Sequence, residues 1–216
     1  MADLQRAPID ELSLGQACIF LVDIRQLTDA DCRLVANALP GRHAKSLEFL
    51  HSEDYLRSVG AGLLLIERLG LQDEAALTYG AQGKPYATGL PAFNLSHSGN
   101  YVVLALLGGQ DPARELGVDI EVLNPRNLKV APRVFTAAEQ EWLAENPFER
   151  FHQLWTQKES IMKLFGKGLQ LSPDSFDVSA LQRGSVVEVL GKSIEVHSVR
   201  RDDCYLSVAQ FSDSPT

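Results

Sequence analysis

The sequence predicts an α+β protein made of two similar lobes, with residues 1–114 in the first lobe and residues 115–216 in the second. In each half, a strand pattern is followed by several helical patterns and then by further strand patterns. Segregated runs of helices and strands are typical of the α+β class. Because the letter-by-letter similarity between the halves is faint, the repeated order of elements is the evidence for two lobes.

The first lobe is predicted to begin with a buried strand over Ala17–Ile24, where apolar and β-branched residues are dense. Helical patterns follow over Asp29–Leu39 and Gly41–Leu50. Ser52 is expected to cap a longer helix that runs to Gly70, with acidic residues in its first turn, where the helix dipole favours negative charge.

Three strand-like segments, Ala92–His97, Tyr101–Leu107 and Glu115–Val122, come next, and their short connections predict an antiparallel meander. The second lobe is predicted to be helical from about Arg126 to Phe165. Four further strands are then expected, at Ser175–Val178, Val186–Leu190, Ser193–Val199 and Tyr205–Phe211.

The composition excludes several classes of protein. A net charge of −8 argues against a general nucleic-acid-binding protein, because neutralising phosphates requires a basic surface. Three widely spaced cysteines indicate neither a disulfide framework nor a zinc site. The apolar runs are too short to cross a bilayer, and no signal-peptide pattern is found. We therefore expect a cytoplasmic protein that binds no nucleic acid and no membrane.

The motif "GVDIE" places two carboxylates on one face of a strand. Alternation directs Val118 and Ile120 to one face and Asp119 and Glu121 to the other, with the two acids about 7 Å apart. Two such anions repel each other unless a hard cation lies between them, and Mg²⁺ suits a sparse oxygen site because it retains waters and accepts phosphate oxygens. The alternative is a surface strand whose polar face is simply solvated.

The stretch "LWTQKESIMKLFGKG" predicts an aromatic-rich helix with charges on one side. Glu159 and Lys163 lie four residues apart and therefore share a helix face with His152 and Thr156. A surface Glu–Lys pair is the ordinary interpretation of this spacing and contributes only a few tenths of a kcal/mol. The functional interpretation is a third carboxylate beside a phosphate-binding lysine, with a flexible Gly-Lys-Gly turn after it.

The stretch "FNLSHSGNYV" also has two interpretations. Ser96 and His97 can offer hydrogen-bond donors to an oxyanion, and Lys84 in the nearby "GKP" can add a positive charge. The alternative is an ordinary polar hairpin turn.

The stretches "GKP", "FNLSHSG", "GVDIE", "FTAAE" and "LWTQKESIMKLFGKGL" occur in this order. In this combination the sequence resembles the 4′-phosphopantetheinyl transferases of the surfactin-synthetase-activating (Sfp) type, over roughly residues 42–177. GVDIE and WTQKES together, at this separation, are specific for the family, whereas each alone is not. The resemblance implies a pseudo-symmetric monomer of two α+β lobes with coenzyme A in the cleft between them.

The resemblance also implies roles for individual residues. Asp119, Glu121 and Glu159 correspond to magnesium ligands, and Lys163 and His97 to contacts with the pyrophosphate of coenzyme A. Further phosphate contacts fall on Ser96 and Lys84 and, around the 3′-phosphate, on Arg42, Lys45 and Arg57. Arginine at position 42 replaces the lysine often found in the family, which keeps the charge and adds a bidentate fork, so we expect binding to survive.

The implied reaction is attack by a serine hydroxyl of an apo carrier protein on the β-phosphorus of coenzyme A, which releases adenosine 3′,5′-bisphosphate. A general base must accept the serine proton, and Glu159, Glu139 or a metal-bound water are the candidates. Glu139 lies in "FTAAE", where Thr136 and Glu139 also form a good capping box. We favour the cap for Thr136 and leave the role of Glu139 open.

The implied partner is an acidic acyl or peptidyl carrier protein, and the sequence does not identify which one. The acid-free segment "NPRNLKVAPRVF" holds Arg126, Lys129 and Arg133 and is a candidate docking face, although it is also a possible solvated helix face. Two other functions use similar groups: a magnesium-dependent hydrolase of the coenzyme A pyrophosphate, and a non-catalytic module that binds carrier protein or coenzyme A.

Overall fold

Two four-stranded sheets and two long helices form the framework of the chain, and a computed structural model describes residues 6–109, 114–182 and 184–212. The strands are β1 Asp10–Leu14, β2 Ala17–Asp23, β3 Leu77–Tyr79, β4 Pro85–Ala87, β5 Phe93–Ser98, β6 Tyr101–Leu107, β7 Leu116–Val122, β8 Val186–Val189, β9 Lys192–Arg201 and β10 Cys204–Phe211. The α-helices are α1 Asp29–Ala38, α2 Pro40–Ser46, α3 Ser52–Glu67, α4 Ala131–Val134, α5 Ala137–Leu143 and α6 Pro147–Leu164. Among the described helices, none has the length and apolar character needed to cross a membrane.

The first sheet has the antiparallel order β1-β2-β6-β5. Alternation along β2 sends Phe20 and Val22 to the face that packs against α3, and Ile19 and Leu21 to the opposite face. Helix α3 lies close to this sheet because a Cβ on Gly60 would be only 3.2 Å from the Val22 side chain. The sheet is therefore covered by α3 on one side.

The second sheet has the antiparallel order β7-β10-β9-β8, and α6 packs across β7 and β10. The approach of α6 to β7 is a backbone contact at Gly117, where a Cβ would lie 1.9 Å from the carbonyl oxygen of Ser160. No residue other than glycine fits there without moving the helix. Gly117 shares its strand face with Asp119 and Glu121, so this contact sets both acids beside α6.

The two sheets pack face to face through a third apolar cluster, drawn from β2 and β6 on one side and from β7 and β10 on the other. Its members include Ile19, Leu21, Val103, Ala105, Val118, Ile120, Leu206 and Val208. The layers therefore run helix, sheet, sheet, helix, and the predicted α+β class is confirmed. The division at residues 114 and 115 stays a prediction, and residues 110–113 lie outside the described part of the chain.

Strands β5 and β7 lie side by side at the end of their respective sheets. Side-chain hydrogen bonds join Asn94 to Val118, Ser96 to Asp119 and Ser98 to Glu121. The residue numbers rise together along both strands, so the two strands run parallel. This junction brings the motif FNLSHSG against the motif GVDIE.

Two sequence-based expectations about strands are wrong. The meander does not extend to β7, because β7 pairs with β10 while its apolar face packs on the first sheet. The expected strand at Ser175–Val178 is absent: a 3₁₀ turn covers Pro173–Ser175, and side chains rather than a neighbouring strand bond the following backbone groups. Strand β1, which covers the edge of the first sheet, was not anticipated.

Two helix boundaries also differ from expectation. Helix α3 begins at Ser52 with His51 as its N-cap residue, and no side chain caps it, so the predicted Ser52 cap is wrong. Helix α2 ends at Ser46 instead of Leu50, and Leu47 and Leu50 after it are exposed.

Candidate active site

Three side chains from three different elements meet at the junction of β5, β7 and α6. Lys163 donates from Nζ to Asp119 Oδ1 and to Ser96 Oγ, both at 2.7 Å. Ser96 Oγ in turn donates to the same Asp119 oxygen at 2.8 Å. Asp119 and Ser96 are buried, whereas the Lys163 side chain is 28% exposed. The cluster is therefore a charge-assisted network with one accessible member.

Glu121 and Glu159 surround this network with further negative charge. The pKa of Glu159 is raised to about 7, mainly by burial of its carboxyl group. Repulsion from Asp119 and, to a smaller extent, from Glu121 raises this pKa further, whereas the positive charge of Lys163 lowers it. Burial, followed by repulsion from Asp119, also raises the pKa of Glu121. The three carboxylates therefore influence one another electrostatically.

The donor set fits a divalent cation in chemistry but not as a finished metal site. Within residues 6–109, 114–182 and 184–212, no three side chains of His, Cys, Asp or Glu are arranged to hold a metal ion. One oxygen of Asp119 is taken by Lys163, whereas the other, Oδ2, is buried and has no hydrogen-bond partner among the described residues. A buried carboxylate oxygen without a partner is costly and suits a cation. The assignment of Asp119, Glu121 and Glu159 to Mg²⁺ stays a prediction.

Sequence reasoning gave no role to Asn94 and only a place in a possible turn to Ser98. Asn94 Oδ1 accepts a hydrogen bond from Val118 N at 2.9 Å, and Ser98 Oγ accepts one from Val122 N at 3.1 Å while it donates to Glu121 Oε2 at 2.9 Å. The signal was the alternation of polar residues in "FNLSHS", which places positions 94, 96 and 98 on one side of β5.

His97 points to the opposite side of β5 and is exposed. Partial burial, and then the positive charges of Arg57 and Lys163, lower the pKa of His97. Arg57 is fixed by an ion pair with Asp54 at 2.6 Å and donates from Nε to Gly99 O at 2.9 Å. The charges of Arg57 and Lys163 thus act on His97 although it lies on the other side of β5 from Ser96, and its assignment to the pyrophosphate stays a prediction.

The other two residues assigned to the 3′-phosphate come from α2. The Arg42 stem crosses α3 at Gly62, where a Cβ would lie 3.3 Å from Arg42 Cδ. Arg42 Nε is buried and has no hydrogen-bond partner within the described residues, and Lys45 is exposed. Both remain candidates for a phosphate contact.

Lys84 is buried and already has partners. Its Nζ donates to Glu115 Oε2 at 2.9 Å and to Leu164 O, at the end of α6, at 3.1 Å. Burial lowers the pKa of Lys84, and the Glu115 charge opposes this effect. Lys84 lines a cavity of about 200 Å³ together with Lys163 and Asn94. It also lines a neighbouring cavity of about 450 Å³. The predicted phosphate contact of Lys84 would require it to share or leave these bonds.

Glu139 lies in a buried structural network. Its Oε2 accepts from Thr136 N at 2.8 Å in a complete capping box, and its Oε1 accepts from Val178 N at 2.7 Å and pairs with Lys158 Nζ at 2.8 Å. The side chains of Glu139 and Lys158 are both 0% exposed. These contacts support the cap, which was the alternative to catalysis, and a catalytic role for Glu139 stays a prediction without a contact to carry it.

His152 and Thr156 do not share the exposure of Glu159 and Lys163. His152 Nε2 accepts from Asn124 N at 2.9 Å, which leaves Nδ1 to donate to Phe148 O at 2.8 Å. Thr156 Oγ1 lies 2.9 Å from Ser207 Oγ on β10. The polar stripe predicted on α6 is therefore partly a buried seam against the second sheet.

Comparison with known proteins decides the family. The sequence model of the 4′-phosphopantetheinyl transferase superfamily (ACPS) matches residues 115–208. A 4′-phosphopantetheinyl transferase of Bacillus subtilis is 36% identical over 166 residues, which cover 71% of each chain. This chain belongs to the 4′-phosphopantetheinyl transferase family. The predicted resemblance to the Sfp type is confirmed, since the 4′-phosphopantetheinyl transferase Sfp of Bacillus subtilis strain 168 is 35% identical over 165 residues, again 71% of each chain.

A 4′-phosphopantetheinyl transferase from another organism also matches. The 4′-phosphopantetheinyl transferase AcpT of Salmonella typhimurium is 36% identical over 156 residues, which cover 68% of this chain and 73% of the relative. The network of Ser96, Asp119 and Lys163 lies where the stretches FNLSHSG, GVDIE and LWTQKESIMKLFGKGL meet.

Proposed function

We propose that this chain transfers the 4′-phosphopantetheine group of coenzyme A to a serine of an apo acyl or peptidyl carrier protein, with Mg²⁺ as its cofactor. The observation that carries the proposal is the hydrogen-bonded network of Lys163, Asp119 and Ser96, beside Glu121 and Glu159. Lys163 can bind the phosphates of coenzyme A. The carboxylates, including the unpartnered Oδ2 of Asp119, can bind the cation that accompanies them.

The residues of this chain bind and orient the coenzyme. Lys163 presents a positive charge that is already fixed by two hydrogen bonds, so little rearrangement is needed when charge builds up on the phosphate oxygens. Arg57 and Lys163 both act electrostatically on His97, and Arg42 and Lys45 extend the cationic surface along α2. We assign Arg57, His97, Arg42 and Lys45 to the phosphates, with Ser96 and Lys84 in support.

Asp119, Glu121 and Glu159 would hold the magnesium ion. When bound, the ion would neutralise pyrophosphate charge and make the leaving phosphate a weaker base. The carrier serine oxygen forms a bond to the β-phosphorus, and the bond from that phosphorus to the adenosine bisphosphate oxygen breaks. We assign the serine proton to Glu159, because no hydrogen bond or ion pair holds its carboxylate within the described residues.

The carrier protein is proposed to dock on the basic segment that follows β7. Lys129 and Arg133 lie there in a short 3₁₀ helix and in α4, respectively, and the side chain of Arg126 lies outside the described part of the structure. An acidic carrier helix would be attracted to this segment despite the overall charge of −8. We retain a cytoplasmic monomer as part of the proposal.

One incubation tests this function against its alternatives. The chain is mixed with coenzyme A, Mg²⁺ and a panel of apo carrier proteins, and intact mass spectrometry follows the carrier. Transfer adds the mass of one phosphopantetheine, hydrolysis consumes coenzyme A without changing the carrier, and a binding module changes neither. Asp119→Ala should abolish the mass gain while the circular dichroism spectrum is retained. No gain on any carrier, with a folded chain, would contradict the proposal.

A further inference from the structure

The junction between β5 and β7 is made by side chains. The two strands end different sheets, and their facing edges meet along Asn94–Ser98 and Val118–Val122. An edge strand exposes backbone N–H groups that need acceptors. Here Asn94 Oδ1 accepts a hydrogen bond from Val118 N, and Ser98 Oγ accepts one from Val122 N. The two bonds are four residues apart on each strand. The residue between them, Ser96, bonds the Asp119 carboxylate.

Ser98 is committed in both of its hydrogen-bonding directions. A hydroxyl group has one hydrogen to donate. Because Val122 N donates to Ser98 Oγ at 3.1 Å, the single hydrogen of Ser98 is free for Glu121, whose Oε2 lies 2.9 Å away. The backbone of β7 thus orients the Ser98 hydroxyl, and this hydroxyl, together with a side-chain hydrogen bond from Trp155, holds the carboxylate of Glu121.

Asn94 is fixed in the same manner at the other end of the junction. It is 3% exposed and bonds the residue next to Asp119 along β7. Asn94 and Ser98 therefore hold β5 at two points, with Ser96 and Asp119 between them. A shift of β5 against β7 by one residue would break both hydrogen bonds and would turn the side chains of Asn94 and Ser98 to the opposite face of the sheet.

We propose that Ser98 and Asn94 are positioning residues: their hydrogen bonds to β7 set the alignment of the two sheets and hold Glu121 and Asp119 in the orientation that the magnesium complex of coenzyme A requires. This inference rests on the proposed function, and it concerns residues that contact neither coenzyme nor reacting atoms. Hydrogen-bond partners of metal-ligating carboxylates orient them, and their loss reduces metal affinity or activity by about 10- to 100-fold.

The test compares Ser98→Ala with Ser207→Ala. Ser207 is another buried hydroxyl, which lies opposite Asp119 in the pairing of β7 with β10 but bonds Thr156 and Ser198 and makes no hydrogen bond to the carboxylates of the site within the described residues. For each variant, urea unfolding gives stability, isothermal titration gives coenzyme A affinity in EDTA, and electron paramagnetic resonance gives Mn²⁺ affinity. Kinetics give the Mg²⁺ concentration for half-maximal transfer.

We expect Ser98→Ala to weaken Mn²⁺ binding and to raise the half-maximal Mg²⁺ concentration by about 10-fold or more. Coenzyme A affinity in EDTA should stay within about twofold of wild type, because no proposed phosphate contact is removed. Ser98→Thr, which keeps the hydroxyl, should restore most of the metal affinity. Asn94→Ala should show the same effects as Ser98→Ala at smaller size, since it acts through the Val118 backbone.

Equal metal affinities in wild type, Ser98→Ala and Ser207→Ala would overturn the inference, as would a Ser98→Thr variant no better than Ser98→Ala. If Ser98→Ala does not fold, Ser98→Cys takes its place in every measurement, because the thiol has a similar shape and is a weak donor. Failure of wild type to transfer phosphopantetheine would instead refute the proposed function, and the Mn²⁺ titration would still decide the positioning role.

Discussion

Two lysines of α6, Lys158 and Lys163, each form an ion pair with a carboxylate from another element, and the two pairs have different surroundings. Lys158 and Glu139 are both 0% exposed, and Lys158 Nζ also bonds the carbonyl oxygens of Pro173 and Phe176 at 2.6 Å. Lys163 is 28% exposed, and its partner Asp119 keeps one buried oxygen without a hydrogen bond among the described residues. The first pair is saturated and serves the fold, whereas the second is unsaturated and can take a ligand.

The largest expected effect separates the pairs by activity. Lys163→Met should lower the rate of phosphopantetheine transfer by about 10²- to 10³-fold, because it removes a fixed positive charge from the phosphate site. Its cost in unfolding free energy should stay below about 2 kcal/mol, since the lysine is partly solvated and Asp119 retains Ser96. Single-turnover rates and urea unfolding of the same preparations measure both quantities. A transfer rate within threefold of wild type would show that Lys163 is only a structural partner.

The second prediction reverses the roles. Lys158→Met should lower the unfolding free energy by about 3–5 kcal/mol, because it leaves the Glu139 carboxylate buried without its counter-charge. Where the variant is folded, its transfer rate should stay within about tenfold of wild type. Urea unfolding followed by tryptophan fluorescence checks the first number. A fully stable Lys158→Met variant with no activity would mean that the two pairs have been assigned the wrong way round.

The smallest expected effect is a pH dependence confined to the unsaturated site. The pKa of Glu159 is raised from 4.5 to about 7 in the folded chain, so the folded state keeps a proton that the unfolded chain releases. The stability from this group is fully present below pH 4.5 and is lost as the pH rises through 7. In EDTA, Glu159→Gln should match wild type near pH 4.5 and exceed it by about 1–2 kcal/mol at pH 8, which is less than the full pKa change implies because solvent screens this partly exposed carboxylate.

Unfolding curves at the two pH values measure this difference, with the exposed Glu48→Gln as the matched control. A Glu159→Gln advantage that is the same at both pH values would place the carboxylate outside the acidic cluster.

Local patterns identified the residues that form the network. The alternation in GVDIE predicted that Asp119 and Glu121 share a face, and the four-residue spacing of Glu159 and Lys163 predicted the same for α6. Both patterns depend only on the repeat of a strand or a helix. They could not show that Lys163 bonds Asp119 directly, because that distance depends on how closely α6 approaches at Gly117.

The pairing of residues far apart in the chain could not be predicted from the sequence, for a different reason. The meander prediction failed because loop length cannot tell whether a strand extends a sheet or stacks upon it, and β7 stacks through Val118 and Ile120. No local pattern marks Lys158 as buried, since its partners Glu139 and Phe176 lie 19 residues before and 18 residues after it. The roles of Asn94 and Ser98 likewise depend on a strand that follows a further 24 residues along the chain.

The apolar cluster between the sheets has a practical consequence. Its members come from both halves of the chain, for example Ile19 and Val103 from one and Val118 and Leu206 from the other. Either half produced alone would expose this apolar sheet face to water and would aggregate or bind chaperones. Two fragments produced by dividing the chain between residues 109 and 114 should therefore recover transferase activity only when they associate. This property would make the protein a starting point for a split reporter.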